Sequence, residues 1–277
     1  MSIFEILLPA FVASLILTGI HAYLGVHVVE RGVIFVDLSL AQIAALGTTV
    51  AYLAGYDLHS TTAYLFSLGF TFLGAAIFAM SRTHSRKTRI PQEAIIGIVY
   101  AVSAAVAILV MSKATQETEH LKEMLVGNIL SVSWRELFKT AVLYALVGFF
   151  HYLFRGRFLL ISMNEPEAER QGWNIRFWDF LFYMSFGFVV TSSVAIAGVL
   201  LVFCFLIVPA VTAMLFTERL GPRLAIGWTM GAVVSALGVC LSYLWDLPTG
   251  ATIVGTFGAA LLVVAGYRRA FRPVATI

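Results

Sequence analysis

Charged residues are scarce in this sequence. Lys, Arg, Asp and Glu make up 12% of the 277 residues and hydrophobic residues 60%, whereas a soluble domain has roughly 25% charged and about 45–50% apolar residues. The mean hydropathy is +0.91. These values exclude an ordinary soluble domain and are typical of an integral membrane protein. The net charge of +3 is too small to indicate a nucleic-acid partner.

Cysteine and the common catalytic motifs are also missing or rare. The two cysteines, Cys204 and Cys240, lie in apolar runs, and neither belongs to a CxxC or CxxH pair that would suggest a metal site. The chain lacks the zinc-protease motif HExxH and the phosphate-binding motif GxxxxGK[ST]. We therefore expect no catalytic residues and no cofactor bound by this chain.

Long apolar runs, in contrast, are abundant. A membrane-spanning helix needs about 20 mainly apolar residues, and a bilayer favours helices because an open strand edge would leave backbone groups without partners. The sequence predicts an all-α polytopic transmembrane helix bundle that forms one domain over residues 1–277. Its nine predicted spans are 4–27, 33–54, 60–81, 92–112, 138–155, 177–193, 195–216, 223–245 and 249–267.

The basic residues predict the orientation of these spans. If the N-terminus is outside, the outside segments carry only Lys113, Lys122, Arg135 and Lys139, and the other 14 of the 18 Lys and Arg residues lie inside. This excess follows the positive-inside rule and places the C-terminus in the cytoplasm. The outside segment of about 114–137 is compatible with a short helix along the membrane face.

A short helix on the cytoplasmic side is predicted between the fifth and sixth spans, at about 164–172. Asn164 can cap its first turn, and Pro166 suits that turn because proline needs no backbone N–H there. Gly172 offers a stop at the C-terminal end. Three glutamates favour the positive end of the helix dipole; they are Glu165, Glu167 and Glu169.

Four segments then resemble one protein family, in the same order along the chain. They are "QEAIIGIVYAVSAAVAIL", "LVGNILSVSWREL", "GVLLVFCFLIVPAVTAML" and "LSYLWDLPTGATIV". The short cytoplasmic helix is similar to the coupling helix of ABC importer permeases. Over roughly residues 20–265, the chain thus resembles the ABC-type zinc, manganese and iron permeases.

The resemblance implies a permease subunit, not an enzyme, in a prokaryotic plasma (inner) membrane. An extracellular or periplasmic binding protein would deliver a divalent metal ion as substrate. A second permease subunit, in an expected homodimer, would line the path, and membrane lipid would surround both. Cytoplasmic ABC ATPase subunits would hydrolyse ATP and dock on the coupling helix. The residues implied in coupling are Asn164, Glu165, Ala168 and Gly172.

The second span, "FVDLSLAQIAALG", carries the candidate metal path. The family has the pattern G-D-x-L-x-H-A here, and its Asp and His are implied to meet the metal. In this chain Gln42 stands at the His position, and Asp37 stands one residue before the Asp position. Loss of the histidine weakens a zinc-specific assignment, because carboxylate and amide oxygens suit harder ions.

Two interpretations of Asp37 remain open. It lines the metal path together with Gln42 and Ser39, as intramembrane ionisable residues usually face a bundle interior or a cavity. Alternatively, it lies near the cytoplasmic end of the span and bonds to a neighbouring helix. Five residues of helix separate Asp37 from Gln42, which places them about 140° apart unless the helix is distorted.

Two further residues are candidates in other spans. His21 is predicted either to line the path or to be a buried imidazole bonded to the backbone, and His27 is expected to be solvated. Pro209, in "LIVPAVTA", is expected to break the seventh span and to act either as a hinge of the path or as a packing kink.

A second class of function is a gradient-driven secondary transporter of a small cation. Intramembrane acids suit proton coupling, but these are few here, and no inverted repeat is visible. A capped cytoplasmic helix also has no role in that scheme. The sequence therefore favours the ATP-driven importer over the secondary transporter.

Overall fold

A computed structural model describes residues 3–57, 60–82, 90–111 and 129–271, and its regular structure throughout these ranges is helical. The all-α prediction is confirmed. A 3-10 turn, Ile129–Ser131, precedes the fifth helix. The helices are α1 (Ile3–Glu30), α2 (Val36–Leu53), α3 (Thr61–Ser81), α4 (Gln92–Met111), α5 (Trp134–Leu153), α6 (Arg155–Met163), α7 (Glu165–Arg170), α8 (Ile175–Met214), α9 (Leu220–Trp245) and α10 (Thr249–Phe271). The surface helix suggested within residues 114–137 falls mostly outside the described residues.

Seven of the described helices are long and apolar enough to cross a membrane, and an eighth span results if α5 and α6, bent by 76°, count as one. Helix α8 has 40 residues, about twice the number that one membrane span requires. Its helical geometry is interrupted at Gly198, with φ 76° and ψ 162°. The count of nine spans stays a prediction, as does the orientation of the termini.

The expected effect of Pro209 on the backbone is corrected by the structure. Helix α8 continues through Pro209, and the residue with non-helical dihedral angles is Gly198. The physical reason is that a membrane-spanning helix tolerates proline where its surroundings satisfy the freed backbone group, whereas the positive φ of Gly198 lies outside the helical region altogether. A hinge role for Pro209 stays a prediction.

The described chain falls into two compact units. The first comprises Met1–Val29, Leu125–Val142 and Ile196–Ile277, and the second comprises Glu30–Met124 and Leu143–Ala195. Each unit is assembled from segments that are distant in sequence. The prediction that residues 1–277 form one permease domain stays a prediction.

Glycines permit close helix contacts in the first unit. A Cβ atom on Gly25 of α1 would lie 1.9 Å from the carbonyl oxygen of Leu206. One on Gly231 of α9 would lie 2.1 Å from Cγ2 of Thr18. Small residues at such points let helix backbones approach closely, which is the usual source of packing between helices in a bilayer.

In the second unit, α2 and α3 pack against each other in opposite directions. Ser67 donates a hydrogen bond to the carbonyl of Ala44 at 3.0 Å. A Cβ atom on Gly74, further along α3, would lie 3.3 Å from Cδ2 of Leu40, which is earlier in α2. The start of α2 is therefore at the same end of the unit as the C-terminus of α3. This arrangement brings Asp37, at the start of α2, and Arg82, directly after α3, to the same end of the unit.

Candidate metal path and coupling site

Asp37 lies in the first turn of α2 with only 1% of its surface exposed. Among the described residues, neither of its carboxylate oxygens has a hydrogen-bond partner. Buried polar groups in proteins are nearly always hydrogen-bonded, and buried carboxylates usually pair with a charge or a metal. The described helices thus provide no bond of the kind that the alternative interpretation requires, and the role of Asp37 in the metal path stays a prediction.

The two other candidates on α2 differ in their surroundings. Ser39 is fully buried, and its hydroxyl also has no partner among the described residues, whereas Gln42 is half-buried. Because α2 is a continuous helix from Val36 to Leu53, the expected separation of about 140° between Asp37 and Gln42 applies. Their joint role in a path stays a prediction. Within the described ranges, no three His, Cys, Asp or Glu side chains lie together as a metal cluster.

His21 is fully buried in α1, and its Nδ1–H donates to the carbonyl of Leu17 at 2.7 Å. This is the backbone bond that the structural alternative for His21 predicts, and its path role stays a prediction. His27 is also buried, with its ring edge-on to Tyr23 at 4.7 Å between centroids. The expectation that His27 is solvated is wrong, because α1 continues to Glu30 and keeps it within the packed helix.

A short helix forms at the predicted place as α7, Glu165–Arg170, while its location on the cytoplasmic side stays a prediction. Asn164 caps it by accepting a hydrogen bond from the backbone N–H of Glu167 at 3.3 Å. Gly172 follows the helix with φ +72°, a left-handed conformation that suits glycine. Ala168, in the middle of α7, is fully buried, so this side of the helix is packed and not exposed to solvent. The caps predicted from sequence therefore form, while the coupling role of these residues stays a prediction.

Arg82, which directly follows α3, holds α7 in place. Its Nε donates to Oε1 of Glu165 at 3.1 Å, and its Nη2 lies 2.8 Å from Oε2. Its Nη1 pairs with Oδ2 of Asp179 in α8. Burial disfavours the charge of Arg82, but the two carboxylates outweigh this effect and raise the pKa of its guanidinium further above the usual range.

Asp179 is itself shared between two arginines. Arg31, directly after α1, donates from Nη1 to Oδ1 of Asp179 at 2.6 Å and from Nε to the hydroxyl of Ser162 in α6 at 2.8 Å. The guanidinium of Arg31 also lies 4.0 Å from the ring centroid of Phe182. Asp179 and Arg31 are almost completely buried. We call Arg31, Asp179, Arg82 and Glu165 the ionic chain.

The sequence did not predict most of the ionic chain. Arg31 and Arg82 served only as signs of orientation, and Asp179 was not considered. A signal was present, because Asp179 interrupts the apolar run "FWDFLFYMSF", and an acid in such a run indicates a buried partner or a functional site.

The comparisons with known proteins agree with this architecture. A family model described as the ABC 3 transport family matches residues 3–268. The manganese transport system membrane protein MntC of Listeria monocytogenes is 27% identical over 256 residues, which cover 91% of this chain and 86% of that protein. A protein of Haemophilus influenzae named "Probable iron transport system membrane protein" is 28% identical over 266 residues, which cover 96% of this chain and 95% of that protein.

A solved structure shares the fold. PsaBC from Streptococcus pneumoniae, in complex with Fab, superposes with a TM-score of 0.76 at 24% identity, over 95% of this chain and 91% of that one. The family model extends over nearly the whole chain and confirms the resemblance drawn from the four segments. The chain belongs to the ABC 3 transport family.

Proposed function

We propose that this chain is the membrane permease subunit of an ATP-driven importer of divalent metal ions in a prokaryotic plasma membrane. Family membership and the names of relatives, which specify manganese and iron transport, support this proposal. They favour it over the gradient-driven secondary transporter. The nine predicted spans would follow if the bent pair α5 and α6 forms one span and the two halves of α8 form two.

The observation that carries the proposal is Asp37. A carboxylate that is 1% exposed, with no partner for either oxygen among the described residues, suits a passing cation. Gln42 stands where the family pattern has a histidine. Carboxylate and carbonyl oxygens suit harder ions such as manganese, while imidazole and thiolate ligands suit zinc. We therefore assign manganese or ferrous iron as the favoured cargo and zinc as the less favoured one.

The partners follow from the same proposal. ATP hydrolysis belongs to separate cytoplasmic subunits that dock on α7, and this chain binds no cofactor of its own. A second copy of the chain completes the permease, and an external binding protein supplies the metal. The confirmed helix caps of α7 and its contact with Arg82 support α7 as the docking element.

Metal accumulation in cells tests the proposal. The complete transport system is expressed in cells that lack their own uptake systems, and intracellular manganese, iron and zinc are measured by elemental mass spectrometry. Asp37→Ala should reduce uptake of the preferred metal about tenfold or more, since a buried carboxylate ligand contributes more than the free energy that a factor of ten requires. The amount of protein in the membrane should not change, because Asp37 holds no structural bond among the described residues.

The matched control is Asp57→Ala, which removes an exposed acid from the loop between α2 and α3. Uptake by this variant should equal that of the unchanged chain. Normal transport by Asp37→Ala would show that Asp37 is not a path residue. If the unchanged chain accumulates none of the three metals, the proposal of metal import itself is wrong.

A further inference from the structure

Arg82 binds two acids that lie on different elements, one on the cytoplasmic helix α7 and one on the long helix α8. We propose that the ionic chain transmits the movement of α7 to the membrane-spanning helices, with Arg82 as the positioning residue at its centre. This inference rests on the proposed function, because it assumes that a partner moves α7. It assigns a coupling role to Arg31, Arg82 and Asp179, three residues inside the protein rather than on the docking surface.

The connectivity of the ionic chain supports this role. Glu165 is the first residue of α7, Arg82 directly follows α3, Asp179 lies near the start of α8, and Arg31 directly follows α1. Through Ser162, Arg31 also reaches α6, the helix that leads into α7. A displacement of α7 therefore acts through charged hydrogen bonds on the ends of three long helices.

The burial of the ionic chain changes from one end to the other. The Glu165 side chain is 34% exposed, that of Arg82 is 8% exposed, and Asp179 is fully buried. Salt screens exposed pairs strongly and buried pairs much less. The ionic chain thus starts at a surface that a partner can reach and ends in the interior, where its electrostatic interactions are strongest.

The bonding geometry makes Arg82 difficult to replace. A planar guanidinium can hold one carboxylate through two nitrogens and still offer the third to another acid, whereas the ammonium of lysine has no such fixed arrangement. Arg82 uses all three nitrogens in this way. By contrast, Glu167 of α7 pairs with Arg170 of the same helix, so this pair is not part of the ionic chain.

The test compares Arg82→Lys and Glu165→Gln with Glu167→Gln as the matched control. Each permease is purified with its ATPase subunits and reconstituted into liposomes with binding protein and manganese. In Arg82→Lys, which changes a buried residue outside α7, we expect the complex to stay intact and basal ATP hydrolysis to persist. Metal transported per ATP should fall about tenfold, since a hydrogen bond to a charged group contributes enough free energy for such a factor. The control should couple normally.

The double variant Arg82→Lys/Glu165→Gln gives a second readout. If the two residues act through one contact, its loss of coupling should equal that of the more impaired single variant, because effects within one network do not add. Unchanged transport per ATP in both single variants would overturn the inference. Loss of the ATPase from Glu165→Gln would also overturn it, because the residue would then serve docking.

The two proposals fail in distinguishable ways. If the unchanged chain binds no ATPase subunits and transports no metal, the proposed function is wrong before any variant is made. If Arg82→Lys does not fold, Glu165→Gln still decides the inference, because it changes only the half-exposed end of the ionic chain.

Discussion

Arg82 and Glu165 are joined by two contacts, 3.1 Å from Nε to Oε1 and 2.8 Å from Nη2 to Oε2. Arg82 directly follows α3, and Glu165, 83 positions later, is the first residue of the six-residue helix α7. Such a two-point contact fixes both the distance and the orientation of the two groups. The short helix α7 is therefore held at a defined place on the second unit rather than by its loops alone.

The first prediction concerns stability. Asp179→Asn should lower the free energy of unfolding by about 3–5 kcal/mol, because it removes one partner of buried ion pairs and leaves Arg31 and Arg82 under-compensated. Glu167→Gln, which breaks a pair whose side chains are 33% and 73% exposed, should cost about 0–1 kcal/mol. Chemical unfolding in detergent measures both variants. Equal losses would contradict the assignment of the ionic chain to the protein interior.

The second prediction concerns the end of α7. Gly172 has φ +72°, and an added Cβ atom would have no other atom within 4 Å, so a methyl group would strain the backbone by about 1 kcal/mol without a steric clash. Gly172→Ala should weaken co-purification with the ATPase and reduce transport. Gly156→Ala is the control, since this glycine also has open space but helical geometry. Normal binding by both variants would argue against α7 as the docking element.

The third prediction concerns the choice of metal. Gln42→His should shift the uptake preference towards zinc, because an imidazole nitrogen favours zinc more than an amide oxygen does. Competition between zinc and manganese in the cellular uptake assay measures the ratio. Gln42→Asn, which keeps the amide, serves as the control. An unchanged ratio in Gln42→His would indicate that residue 42 does not contact the metal.

The fourth prediction concerns topology. In a variant with Cys204 and Cys240 replaced by serine, single cysteines at Tyr56 and Leu247 should react with an impermeant reagent from outside. Single cysteines at Glu169 and Glu218 should react only after the membrane is opened. All four positions are exposed in the structure, so burial does not explain a failure to react. The reverse pattern would contradict the orientation with the N-terminus outside.

Local features of the sequence predicted much of the fold. The long apolar helices and α7 were predicted because hydropathy and helix caps depend on neighbouring residues: Asn164, Pro166 and Gly172 lie close together in the sequence. The prediction for His27 was wrong because burial depends on what surrounds a helix, which its own residues do not specify. The boundary between the sixth and seventh spans was predicted at residue 194, and the structure places the interruption at Gly198. Sequence alone does not fix this position, since a glycine in an apolar run is compatible with both helical and left-handed geometry.

By itself, the sequence determined the membrane-embedded all-α class, the family and the place of Asp37 in the second span. Only the tertiary structure decided that Asp37 has no hydrogen-bond partner among the described residues, and that Asp179 joins Arg31 and Arg82. The physical reason is distance along the chain. Asp179 is 148 residues from Arg31 and 97 from Arg82, and hydropathy and capping patterns extend over only a few turns of helix, so the pairing follows from how the helices pack.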